Sequence, residues 1–255
     1  MGVALMLAPT SAGAADMTVR EIAQILAAAR PGQVVTLAGR DLSFLDLSGL
    51  DFKAARLPAA NLYGADLSGA NLRHADLSRV LLDRATIVGT DFSGANLSYA
   101  IMRLPHTATK PAFDRSDAPR FAGADLSHAR LVVRLDGADL RGADMTSAQL
   151  HPYGDETQNS TARRSSMIGC DFSGAVLAGA NLSGAVLAFA NFTNADLSGA
   201  SLRGTDLSRA DFSGAKLAAA DLSGADLDGS DLRGAQGLEQ SVGLGMARNL
   251  DRAIR

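Results

Sequence analysis

The sequence predicts an all-β solenoid closed at each end by a short α-helix, and three observations carry that prediction. A large apolar residue recurs every five positions over most of the chain. A small residue, usually alanine, stands two places before it, as at Ala65, Ala70, Ala75, Ala95, Ala180 and Ala220. The acidic residues are nearly all aspartate, 24 against 3 glutamates, whereas ordinary helical surfaces use glutamate freely. A five-residue period matches neither the ~3.6 of an α-helix nor the alternation of a long strand. It matches a coil that turns a corner every five residues and points one large and one small side chain inward on each side.

From the N-terminus, residues 1–16 hold an apolar run, Val3 to Ala8, followed by the small residues Ala12, Gly13 and Ala14. This resembles the core and cleavage site of a signal peptide, although Met1-Gly2 supplies no basic leader and the run is short. Cleavage after Ala14 or Ala15 makes the protein periplasmic or secreted; a frayed, intact N-terminus leaves it cytoplasmic. Residues 17–34 read as a capping segment. Thr18 and Glu21 have capping-box spacing, the run Val19, Ile22, Ile25, Leu26 and Ala29 follows, and Pro31-Gly32 stops a helix of about 18–30.

The periodic part falls into blocks 35–104, 121–150 and 167–236. Leu37 to Met102 gives fourteen units. Phe121, Leu126 and Leu131, then a four-residue step to Leu135, Leu140, Met145 and Leu150, give seven. Met167 to Leu232 gives fourteen more, thirty-five in all. The intervening stretches 105–120 and 151–166 are polar, contain proline, and lack the period, so they are read as loops projecting from one coil each. If each replaces one ordinary step, the excess is 14 residues in the first and 12 in the second. The short step at Leu135 tightens a corner. Residues 237–255 form the C-terminal cap, where Met246, Leu250 and Ile254 stand four apart and predict a short helix.

Runs such as Ala65-Asp-Leu-Ser-Gly-Ala-Asn-Leu72 resemble the pentapeptide repeat family, and the likeness covers the chain from near Leu37 to near Gly234. The resemblance implies a right-handed quadrilateral β-helix with four units per coil. Thirty-five units then give close to nine coils and a rod of ~40 Å at the usual strand spacing. Backbone bonds between coils leave the interior to leucine, phenylalanine and alanine, while aspartate or asparagine bonds nearby amides as the longer glutamate does not.

Function is approached first by exclusion. A net charge of -3 gives no basic face for neutralising phosphates, so direct nucleic-acid binding is not expected. The single cysteine, Cys170, excludes an internal disulfide and any paired-cysteine metal motif, and it falls in the small inward position. His74, His106, His128 and His151 share no ligand spacing, His74 and His128 being outward corner residues. No run is long enough to span a membrane. Asp155-Glu156 could attract a cation, but a filled solenoid offers no desolvated cleft for paired carboxylates. No catalytic residue, metal or cofactor is implied, and the chain reads as a non-enzyme.

What remains is surface. Residues twenty apart should stack, placing Asp171, Asn191, Asp211 and Asp231 in one column and Asp206 with Asp226 in another. Asp221 and Asp228 make this end acidic, whereas Lys53, Arg56, Arg73, Arg79, Arg84 and Arg103 make the first block more basic. Candidate partner-binding residues are therefore Asp206, Asp211, Asp226 and Asp231 on the rod. Asp114, Arg115 and Asp117 join them from the first loop, and Asp155, Glu156, Arg163 and Arg164 from the second. The leading reading is a scaffold whose faces and two loops meet an unknown protein partner. The alternative comes from resemblance to the quinolone-resistance members of the family, which implies a DNA-mimicking binder of DNA gyrase. Resemblance to members that pair end to end implies a homodimer through the C-terminal cap.

Overall fold

The computed structural model describes residues 15–52, 54–107, 115–151 and 164–255. Parallel bridges join residues twenty apart throughout the first block, from Thr36↔Arg56 to Thr86↔His106, so four units complete a coil. The first face of the rod carries Thr36, Arg56 and Asp76; the second Asp41, Asn61 and Leu81; the third Asp46, Asp66 and Thr86; the fourth Asp51, Asn71 and Asp91. The strands are mostly single bridges. Among the described residues only β1 (Ile101–Arg103) and β2 (Arg130–Val132), neighbours on the second face, pair over three residues.

Each unit follows from its five side chains. In Ala65-Asp-Leu-Ser-Gly, the Asp66 amide donates to Leu45 O at 2.9 Å, and the Leu67 amide donates to Thr86 O at 2.8 Å. The Asp66 carboxylate accepts from the Ser68 amide at 2.8 Å and hydroxyl at 2.6 Å, an Asx turn that leads the chain into the corner. The corner closes when the Ala70 amide donates to Leu67 O at 2.9 Å. Its third residue has positive φ, +64° at Gly69. Asparagine one coil below an aspartate adds a cross-coil bond, as from Asn71 to Asp51 at 3.0 Å.

One continuous core runs from Ile22 to Leu232. The fourth face supplies all six fully buried phenylalanines among the described residues, Phe52, Phe92, Phe121, Phe172, Phe192 and Phe212. Where they fall in adjacent coils the rings stack nearly parallel, with centroids 5.0 Å apart for Phe92–Phe121 and 4.9 Å for Phe172–Phe192. Buried hydroxyls in the alanine position are satisfied by the coil before: Thr205 donates to Leu182 O at 3.0 Å and Ser230 to Leu207 O at 3.0 Å.

At the N-terminal end α1 (Val19–Ala28) has both halves of the Thr18–Glu21 capping box and buries Ile22 and Leu26. The C-terminal helix expected from Met246, Leu250 and Ile254 does not form. The chain instead adds a coil whose bridge residues Gln236, Val242, Arg248 and Ile254 are six apart. Each six-residue side holds a 3-10 turn, Leu238–Gln240, Leu244–Met246 and Leu250–Arg252, preceded by a positive-φ residue, Gly237, Gly243 or Asn249. The wider side lets Leu238, Leu244 and Leu250 pack against the core, closing the rod without a helix.

Two boundaries also shift. Pro105, His106 and Thr107 belong to the solenoid, since Pro105 is buried in the alanine position and His106 bridges Thr86. The first excursion therefore accompanies two ordinary steps, and its excess is nine residues: Asp91 bridges Arg120, 29 positions on instead of 20. The second keeps its excess of twelve, since Asp139 bridges Asp171 at 32, and Ser165 and Ser166 already belong to the third face of the same coil. The deletion at Leu135 appears as the spacing of 19 between Arg120 and Asp139. Each face thus carries ten bridge positions, making ten coils where the period suggested nine, about 43 Å from first to last.

Candidate interaction surfaces

The expected acidic columns are present as stacks, with Asp171↔Asn191↔Asp211↔Asp231 on the fourth face and Asp206↔Asp226 on the third. Their carboxylates are largely occupied. Asp206 accepts from the Ser208 amide at 3.0 Å and hydroxyl at 2.7 Å, and Asp211 from the Ser213 amide at 2.8 Å. Asp226 accepts from Asn249 at 2.8 Å and pairs with Arg248 at 3.6 Å. Asp231 takes the Arg233 guanidinium at 2.6 Å. These partners hold both Asp226, led by Asn249, and Asp231, led by Arg233, below the usual carboxylate range. Similar pairs run along the rod, including Arg73–Asp91, Arg141–Asp139 and Arg203–Asp221. The surface is a mosaic of paired charge. Exposed pairs of this kind contribute about 0–1 kcal/mol each.

Of the loop candidates, Asp114, Asp155, Glu156 and Arg163 lie outside the described residues. Arg115–Asp117 is a 3-10 turn on the return leg of the first excursion, and Asp117 O accepts the Gly89 amide at 2.7 Å. Arg164 lies along the rod, its Nε donating to Gly184 O and its guanidinium reaching Gly204 O one coil further at 3.4 Å. The first return leg is thus tied to the third coil and the second to coils seven and eight. The first excursion leaves the edge between the third and fourth faces, after Thr107; the second leaves the edge between the second and third, after Leu150. Their points of departure lie two coils apart, at opposite edges of the third face.

Cys170 is buried, donates to Leu135 O at 2.9 Å, and its thiol pKa is pushed up chiefly by burial. Among the described residues no three or more His, Cys, Asp or Glu side chains converge as metal ligands. None of the described helices is long and apolar enough to cross a membrane. His74 and His128 occupy corners, with φ of 56° and 57°. His128 also stacks on Tyr99 at 4.8 Å, and Arg79 lies over the same ring at 5.2 Å. This stack borders a surface that the charge count passed over, where Leu81 and Ile101 replace the usual aspartate or asparagine. Those replacements are the signal that the sequence held for it.

The pentapeptide-repeat family model matches in eight copies, over residues 37–73, 60–98, 120–151, 165–204 and 195–234. The chain belongs to the pentapeptide repeat family. No curated protein matches it. Among solved structures it is similar to HetL from the cyanobacterium Nostoc sp. strain PCC 7120, with 28% identity and a TM-score of 0.54 over 94% of this chain and 100% of that one. HetL is described as involved in heterocyst differentiation regulation. A pentapeptide repeat protein from the Arabidopsis thaliana thylakoid lumen is 30% identical over 48% of this chain and 70% of its own, with a TM-score of 0.27. A trypsin-treated form of QnrB1, a plasmid-mediated fluoroquinolone resistance protein, is 22% identical over 80% and 90%, with a TM-score of 0.34. The family and the HetL likeness identify the fold as a right-handed β-helix, in a family of repeat scaffolds with no catalytic assignment.

Proposed function

We propose that this rod is a non-enzymatic scaffold that presents its faces and two excursions to a protein partner. The placement of the excursions carries the reading: two insertions, in different coils, flank one face from opposite edges and are anchored in opposite directions along the rod. Insertions of no consequence have no reason to share a face. A rigid, filled solenoid holds them at fixed separation, which lowers the ordering cost of binding. Gyrase binding by DNA mimicry is the less favoured reading, because it calls for a continuous anionic surface and these aspartates are paired or turned into their own corners.

The test is in-cell cross-linking and mass spectrometry of the intact protein beside variants in which 108–114 or 152–163 is replaced by a short Gly-Ser bridge. Loss of the same partner in both variants, with cooperative melting retained, is expected. Unchanged recovery in both, or quinolone-dependent protection of gyrase by the intact protein, would overturn this reading. Export is part of the proposal. A cut after Ala14 or Ala15 leaves Asp16 in place to hold Asp41 by bonds of 2.8 and 2.9 Å, so the processed chain keeps its first coil. Pairing of two copies through the last coil is proposed on the exposure of Val242, Met246 and Ile254, and sedimentation of a Met246→Glu variant tests it.

A further inference from the structure

We infer that the second face, over coils three to five, is a docking face for an acidic protein segment with apolar anchors. The inference rests on the scaffold reading and names the chemistry of one partner site. At the bridge position most units carry aspartate or asparagine, whose side chain caps the amide two residues on, as Asn61 does for Tyr63 at 3.1 Å. Leu81 and Ile101, partners in register, give up that cap. The rod gains no core in return, because Leu81 is 39% exposed and Ile101 half-buried. Leu104, 50% exposed, continues the patch along the same coil. Adjacent apolar side chains at positions that favour a polar residue mark a surface made for contact.

The charge around this patch selects the partner. Arg79 and Arg84 are exposed and form no ion pair among the described residues. The acid between them, Asp83, is buried and already takes the Arg103 amide at 2.8 Å and the Arg103 guanidinium. The patch is therefore locally cationic on a chain whose net charge is -3. Arginine beside apolar and aromatic groups is the composition of binding hot spots. A nucleic acid fits less well. Its bases need an open aromatic face, and Tyr99 has Arg79 on one side and His128 on the other.

Leu81→Asn and Ile101→Asn test the apolar half, and both restore a residue type that this face carries at Asn61 and Asn181. Arg79→Glu with Arg84→Glu tests the charge, and Asp211→Asn on the fourth face is the control. The probes are short fluorescent peptides rich in glutamate and leucine, matched peptides with glutamine for glutamate or alanine for leucine, and single- and double-stranded oligonucleotides. The acidic leucine peptides should bind the full chain best, and each face variant should weaken them by about tenfold or more, the scale of losing one hot-spot contact. The control should bind unchanged. No peptide binding, binding that ignores the face variants, or oligonucleotides that bind more tightly and respond to those variants would each overturn the inference. If it falls while the excursion deletions still lose their partner, the scaffold reading stands without it.

Discussion

Each five-residue corner among the described residues places its third residue at positive φ, a conformation that costs a residue with a Cβ about 1–2 kcal/mol and glycine nothing. Fifteen non-glycine residues among those described nonetheless sit there, so the solenoid absorbs the strain one corner at a time. This makes the backbone contribution measurable by itself. Gly199 has φ +66° and no atom within 4 Å of where a Cβ would stand, so Gly199→Ala should cost about 1 kcal/mol from conformation alone. Ala219, exposed with φ 57°, should gain about 0.5–1 kcal/mol on substitution by glycine. Denaturant unfolding of the two variants should move in opposite directions, and a loss in both would disprove the account. Inside, the ring of Phe192 lies between those of Phe172 and Phe212 at 4.9 and 5.0 Å. Phe192→Ala should cost about 3–5 kcal/mol, whereas Phe192→Leu should cost far less because leucine already fills this column at Leu72, Leu140 and Leu232.

At the scale of elements, the last coil tests whether the rod behaves as a stack of neighbours. The amides of Gln236, Val242, Arg248 and Ile254 donate to the ninth coil at 2.7, 2.7, 2.8 and 2.8 Å, and Leu244 packs beneath them. Leu244→Asp should speed hydrogen exchange at these four amides and leave those of coils two to seven protected, because repeat units are stabilised through their immediate neighbours. Uniform loss of protection would instead make the coil a nucleus for the whole fold. The same coil marks a limit of sequence reading. The five-residue period was legible because the units repeat the same burial and corner, and many of them the same Asx turn. The period of six at Gly237, Gly243 and Asn249 was hidden, because Met246, Leu250 and Ile254 also satisfy helical spacing. The Pro105–Thr107 unit escaped for a related reason: Thr107 stands where leucine was sought. The columns of Asp206 and Asp211 were legible as stacks, but not the pairing that occupies Asp226 and Asp231, since an arginine's reach depends on the coil above and below. Leu81 and Ile101 were visible as departures from the repeat, yet only the register shows that they touch the same face.

For the whole molecule, the aspartates tie stability to pH. Ordinary aspartate titrates near 3.9, and several here sit lower when folded. Asp139 is lowered first by the Arg141 guanidinium, Asp196 by the Ser198 hydroxyl, and Asp231 by Arg233. Burial pushes Asp91 up, but Ser93, Arg120 and Arg73 together outweigh it. A carboxylate depressed in the folded state contributes stability that is fully present above its unfolded value and is lost as pH falls through the folded one. The rod should therefore keep constant stability from about pH 8 to 5 and lose it progressively below about 4. Protonation also removes the negative charge that balances the chain's 24 lysines and arginines, and their mutual repulsion then opposes the compact state. Denaturant midpoints at pH 7, 5 and 3 should be equal for the first pair and lower for the third. Asp139→Asn should start less stable and show a shallower acid loss, because it removes a carboxylate whose proton uptake drives the change. Equal midpoints at neutral and acid pH would mean that the aspartates serve the corners through hydrogen bonds that survive protonation, and that their charge contributes nothing to the rod.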